Sequence, residues 1–177
     1  MRNPGVQLSL QTSSLVGGFM AWVLISSLMS YIQQDISLTS SQTSIVTAIP
    51  VILGSLLRIP IGFYTDRFGA RTIFLISFII LLFPVFYISI ASTFMDLVIG
   101  GLILGIGGAV FSVGVTSLPK YYPKEKHGFI NGVYGVGNIG TAITTFGAPI
   151  LAENIGWQGT VRLFLILINM IFYLLFD

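Results

Sequence analysis

Long apolar stretches alternate with short polar connectors along the whole chain. Asp, Glu, Lys and Arg are all missing from residues 3–34, 36–57, 72–95, 97–119, 127–152 and 163–176. A helix needs about 20 mostly apolar residues to cross a hydrocarbon core of about 30 Å. The pattern therefore predicts six membrane-spanning helices, at about residues 11–32, 42–64, 72–91, 96–118, 128–151 and 159–176.

Helices are predicted because hydrocarbon cannot satisfy an open sheet edge, and the alternation typical of short barrel strands is missing from the sequence. The expected fold class is thus an all-α membrane protein. Two predicted helices carry polar or glycine interruptions, Ser55–Arg58 in the second and Gly135–Asn138 in the fifth. Interruptions at corresponding places indicate two inverted three-helix repeats and are typical of a transporter's central site.

The amino-acid composition supports the prediction of a membrane protein. Of the 177 residues, 54% are hydrophobic and 8% are charged, whereas soluble domains carry about 25% charged residues. A soluble enzyme and a nucleic-acid-binding protein are therefore not expected. The chain has no cysteine, which excludes disulfides and thiolate metal sites; we predict neither a metal nor a cofactor.

Positive charges are concentrated in alternate connectors. The amino terminus and the second and fourth connectors carry Arg2, Arg67, Arg71, Lys120, Lys124 and Lys126, whereas the other connectors carry Asp35, Asp96 and Glu153. Lys and Arg are retained on the cytoplasmic side of a membrane. We expect a multi-pass protein of the cell membrane, with the amino terminus and Asp177 in the cytoplasm.

The connector after the second predicted helix contains a spaced motif. Gly62, Asp66, Arg67, Gly69 and Arg71 form the pattern G-x-x-x-D-R-x-G-x-R, which resembles the signature of the major facilitator superfamily between its second and third helices. The resemblance implies that this loop latches the helix bundle and governs conformational exchange without touching substrate.

A glycine-rich stretch narrows the resemblance. Gly132, Gly135, Gly137 and Gly140, followed by Pro149, are similar to the signature in the fifth helix of nitrate/nitrite porters. Residues 47–60 and 121–126 are similar to that family's second helix and fourth connector. Gly135–Gly140 also matches a dinucleotide-binding pattern, but it lies within an uncharged run with no preceding strand, and the next acid, Glu153, is too near and at the opposite face of the membrane. We interpret most of these glycines as helix-packing positions.

Arg58 is the residue with the strongest functional implication. It lies eight residues before Asp66, hence about 12 Å along the helix axis from the cytoplasmic end, near the middle of the bilayer. All acids fall near predicted helix ends, so the guanidinium needs an anion or a partner from outside this chain. A guanidinium donates paired hydrogen bonds to two oxygens, which fits nitrate or nitrite and equally admits phosphate or a carboxylate.

The family resemblance selects nitrate or nitrite and implies two further contacts. Asn138 corresponds to the asparagine that contacts the substrate, and Phe111 to the aromatic residue that flanks the anion. From the residues alone, Asn138 could equally make an interhelical hydrogen bond and Phe111 could be a packing residue. A second arginine would come from the other six-helix half.

The resulting prediction is the amino-terminal six-helix half, residues 1–177, of a nitrate/nitrite transporter that works by alternating access. Its partners would be the anion, the lipid bilayer and a carboxy-terminal half not contained in this chain. Two alternatives stay open, an exchanger of organic or phosphorylated anions and a non-transporting truncated membrane module. No acid is predicted mid-membrane, which favours nitrate/nitrite exchange over proton symport.

Overall fold

The computed structural model describes residues 3–176, with side chains described to Tyr173; Asp177, predicted to be cytoplasmic, lies outside them. All regular structure in these residues is helical. We number the spans α1 (Pro4–Asp35), α2 (Ser40–Phe68), α3 (Ala70–Ile88), α4 (Phe94–Tyr121), α5 (residues 127–155) and α6 (residues 157–176). The all-helical membrane fold predicted from the sequence is confirmed.

The last two spans run on from each other, and one glycine separates them. The helical stretch Lys124–Tyr173 has 50 residues, which would be about 75 Å long if straight, more than twice the thickness of a bilayer core. Gly156 breaks it with φ 72° and ψ 163°. Only glycine adopts such a conformation readily, so the helix is interrupted there, and we treat its two sides as separate spans.

Side-chain caps define where several helices begin. The Asn3 side chain accepts a hydrogen bond from the Gly5 amide, and Pro4 occupies the first turn, so α1 starts earlier than the predicted residue 11. Thr39 and Thr93 begin α2 and α4 with reciprocal capping boxes, completed by Gln42 and Asp96. These caps satisfy amides that have no partner within the helix.

Both predicted interruptions occur in the structure. In α2 the helix Ser40–Leu56 ends and a second segment, Arg58–Phe68, begins, with Leu57 between them. Pro60 has no amide to bond the Leu56 carbonyl, which explains a break at this position. In α5 the turn Val136–Asn138 is a 3-10 helix. Arg58 thus begins the second segment of α2, and Asn138 lies in the tighter turn of α5.

Helices α1 and α4 are more deeply buried in the bundle than the other spans. Glycines let their backbones approach each other: a Cβ on Gly18 would lie 3.0 Å from the Gly107 carbonyl oxygen, and one on Gly105 would lie 3.1 Å from the Gly54 amide of α2. Because helices in a membrane associate through such close contacts, α4 is fixed against α1 and α2, and this sets the position of Arg58.

Candidate functional site

Arg58 lies directly after the break in α2 and points toward α4. Its Nε donates to the Gly108 carbonyl oxygen at 3.4 Å, and its guanidinium carbon lies 5.2 Å from the centre of the Phe111 ring. The side chain is half-buried. Within the described residues no carboxylate forms an ion pair with it. A permanent positive charge is thus held by one backbone oxygen and one ring face, with donor capacity left over.

Phe111 is positioned by an aromatic cluster from two other helices. Its ring centre lies 6.2 Å from that of Phe19 in α1 and 5.7 Å from that of Tyr134 in α5. Tyr134 is fully buried and donates to the Val110 carbonyl oxygen at 3.1 Å. The structure therefore brings Arg58 and Phe111 together, as the predicted site requires.

Trp22 lies beside this cluster and was not identified from the sequence. Its ring centre is 5.2 Å from that of Phe19, and its Nε1 donates to the Pro50 carbonyl oxygen at 2.9 Å. A tryptophan in an apolar helix gives no sequence signal for a specific contact. Only the small residues opposite it, Gly54 and Gly108, could have indicated where its ring lies.

Asn138 occupies the irregular turn of α5 and is exposed. Its Nδ2 donates to the Gly135 carbonyl oxygen at 2.7 Å, so part of its side chain stabilises its own turn. Among the described residues its side chain makes no hydrogen bond with Arg58. The carbonyl oxygen of its amide and one N–H remain to face a ligand or another helix.

The four signature glycines of α5 divide into two pairs. A Cβ on Gly137 would lie 2.8 Å from the Leu15 side chain, and one on Gly140 would lie 2.3 Å from the Val16 carbonyl oxygen, so this pair packs on α1. A Cβ on Gly132 or Gly135 would meet no described atom within 4 Å. Packing within the described residues therefore explains Gly137 and Gly140, and does not explain Gly132 and Gly135.

The loop motif joins the ends of α2 and α4. Asp66 forms an ion pair with Lys120, although both side chains are more than half exposed. One turn earlier, a Cβ on Gly62 would lie 3.4 Å from the Thr116 hydroxyl oxygen. Close approach and the ion pair together fix the two helix ends to each other.

The rest of the motif forms the turn into α3. Gly69 has φ 83° and ends α2, a conformation that a side chain would strain. The guanidinium of Arg67 lies 5.5 Å from the centre of the Phe68 ring. Arg71 lies in the first turn of α3 and is exposed. The motif thus runs toward one end of the bundle: Gly62 lies one turn beyond Arg58 along α2, and the other four residues lie further on.

The fold defines an all-helical, multi-pass membrane protein. Comparison with known proteins identifies its family: the model of the Major Facilitator Superfamily matches residues 12–176. The chain belongs to the major facilitator superfamily, as its loop motif predicted.

Its similarity to curated proteins is high over most of the chain. It is 68% identical over 92% of its length to the "Nitrite extrusion protein" of Bacillus subtilis. It is 61% identical over 92% of its length to the "Probable nitrate transporter NarT" of Staphylococcus carnosus, and 57% identical over 97% to that of Staphylococcus aureus. These relatives are named as transporters, not as enzymes. The chain spans 41 to 44% of their length and corresponds to their amino-terminal part.

Proposed function

We propose that this chain is the amino-terminal half of a transporter that carries nitrate or nitrite across the cell membrane by alternating access. The observation that carries the proposal is Arg58, a guanidinium in the interior of a membrane-spanning helix, whose described polar contact is one carbonyl oxygen at 3.4 Å. Arginine at such depth is typical of a substrate site and needs an anionic partner.

Nitrate and nitrite suit this guanidinium in shape and charge. Each is small, planar and monovalent, and presents two oxygens to the paired donors of an arginine. The Phe111 ring, 5.2 Å from the guanidinium carbon, gives the site an apolar face on which a planar anion can lie. Asn138 of α5 would add a neutral N–H donor to the site and would bring no second charge into it.

The names of the relatives support the same substrate class. Proteins 57 to 68% identical to this chain are named for nitrite extrusion or nitrate transport. Because they are more than twice as long as the region they share with it, we propose that a second six-helix half closes the site over Arg58. Gly132 and Gly135, whose surroundings are open, would face that half.

Alternating access then follows from how the parts are held. The glycine contacts of α1 with α4 and α5 support movement of this half as one body, and rocking of two such halves would expose a central site to each side in turn. The loop motif, tied by the Asp66–Lys120 pair, would control the exchange at the cytoplasmic end. The positive connectors favour a cytoplasmic position for that end and for the amino terminus.

Substitution of Arg58 tests the proposal. In proteoliposomes containing the complete transporter that carries this chain, Arg58→Lys should lower nitrate uptake by about tenfold or more, because a lysine ammonium cannot make the bidentate contact. Arg162→Lys is the matched control, since Arg162 is exposed on α6, and should transport normally. Normal uptake by Arg58→Lys would refute the assignment.

Competition between anions tests the substrate class separately. Unlabelled nitrate and nitrite should compete with labelled nitrate, whereas phosphate esters and dicarboxylates at the same concentration should not. Efficient competition by a phosphate ester would favour the alternative exchanger of organic or phosphorylated anions. A complete transporter with no anion flux at all would favour the non-transporting module.

A further inference from the structure

We infer that Trp22 is a positioning residue for the anion site, because its indole fixes both groups that hold the Arg58 guanidinium. The inference rests on the proposed function, since it concerns how Arg58 is presented to the anion. It adds a residue from α1 to a site whose predicted members lie on α2, α4 and α5.

The first link runs through Gly108. The carbonyl oxygen of Gly108 accepts the hydrogen bond from Arg58 Nε, and the indole covers this same residue. A Cβ on Gly108 would lie 2.5 Å from Cε2 of Trp22, so the ring occupies the space that a larger residue would need. The distance between the indole and the backbone of α4 thereby sets where the carbonyl lies.

The second link runs through the aromatic cluster. Trp22 packs on Phe19 with ring centres 5.2 Å apart, and Phe19 in turn stacks on Phe111 at 6.2 Å. The Phe111 ring is the face over which the guanidinium lies. Displacement of the indole would therefore be transmitted to the ring as well as to the carbonyl.

The third link ties α1 to α2 before its break. Trp22 Nε1 donates to the Pro50 carbonyl oxygen at 2.9 Å, and a Cβ on Gly54 would lie 2.9 Å from the same nitrogen. The indole is thus wedged between Gly54 of α2 and Gly108 of α4. Its single polar group is used on the Pro50 carbonyl, so Trp22 is placed to orient the site and not to bind the anion through its N–H.

Kinetics of two matched tryptophan variants test the inference in the complete transporter. Trp22→Phe keeps an aromatic ring but removes the N–H and part of the wedge. It should raise the apparent KM for nitrate by about threefold to tenfold, the range expected for one lost hydrogen bond, with Vmax per folded transporter within about twofold. Trp157→Phe is the control, because the Trp157 indole also donates a hydrogen bond, to Asp35 at 2.7 Å, at the far end of the bundle; its KM should not change.

A double-variant cycle measures whether the effects of Trp22 and Gly108 on KM are coupled. A merely structural role of Trp22 would not produce that coupling. Gly108→Ala forces a methyl group against the indole and should also raise KM. A phenylalanine at position 22 leaves room for that methyl group, so the combined variant should raise KM by less than the product of the single effects. If Trp22→Phe does not fold, Gly108→Ala alone, which leaves Trp22 in place, decides by its KM.

The outcomes separate this inference from the proposed function. Arg58→Gln measured in the same preparation should not transport; if it transports normally, the proposed function fails. If Arg58→Gln is inactive while Trp22→Phe and Gly108→Ala have the KM of the unmodified protein, the positioning role of Trp22 alone is overturned. A lower yield of folded transporter with unchanged KM would likewise overturn it, since that is the behaviour of a residue needed only for folding.

Discussion

At the scale of single residues, the proposed anion site depends on how Arg58 is held within a membrane span. An arginine at the centre of a spanning helix costs on the order of 2.5–3.5 kcal/mol on insertion scales. The Gly108 carbonyl at 3.4 Å and the Phe111 ring at 5.2 Å offset part of that cost and leave donors over. An anion that uses those donors would complete the stabilisation, which is why a small oxyanion is favoured here.

Substitution of Phe111 tests how much its ring contributes to nitrate affinity. Phe111→Leu removes a cation–π contact worth about 1 kcal/mol and should weaken apparent nitrate affinity by about fivefold. The matched control is Phe68→Leu, because Phe68 also lies under an arginine, Arg67, at 5.5 Å, but at the helix end. Transport kinetics of the two variants measure the difference. Equal KM values for both would show that the ring beside Arg58 has no special part in binding.

The sequence could predict candidate residues of the anion site, but not the contacts that these residues make with each other and with the backbone. The depth of Arg58 followed from its position among uncharged residues. Its bond to Gly108 could not be predicted, because residues 50 apart meet only through the angle at which α2 crosses α4. Trp22 could not be identified for the same reason, because its contacts with Gly54, Gly108 and Pro50 also join residues that are distant in the sequence.

At the scale of helices, glycines and helix breaks decide the arrangement. The prediction located the interruptions in α2 and α5 correctly, because proline and polar residues within an apolar run are visible in the sequence. It could not assign each glycine of α5 to a face. A small residue permits a close approach, but only the fold shows whether a neighbour is present, as for Gly140 and not for Gly135.

This division predicts different effects for two similar substitutions in α5. Gly140→Ala would place a Cβ 2.3 Å from the Val16 carbonyl oxygen. A backbone atom cannot rotate away, so α1 and α5 must separate, and we expect a loss of about 1–3 kcal/mol of stability. Gly135→Ala meets no described atom within 4 Å and should change stability little. The apparent melting temperature in detergent measures both; an equal decrease for the two would contradict the assigned packing.

At the scale of the whole molecule, the chain matches the amino-terminal part of relatives that are more than twice as long as the region they share with it. Its helices α1 and α4 are more deeply buried, while α2 and α5 remain more open, and the Arg58 side chain lies on α2. We therefore expect the second half to cover α2 and α5 and to contribute the remaining ligands of the anion. Charge in the connectors, and not the fold, carries the prediction of orientation.

Direct measurement of anion binding tests the central claim most directly. A ligand that binds only the folded state at about 100 times its Kd adds about 2.7 kcal/mol of stability, so nitrate should raise the melting temperature of the complete transporter in detergent, whereas sulfate should not. Arg162→Lys should keep the nitrate-dependent increase. The account predicts that Arg58→Lys folds and melts without responding to nitrate; a full nitrate-dependent increase in Arg58→Lys would contradict it.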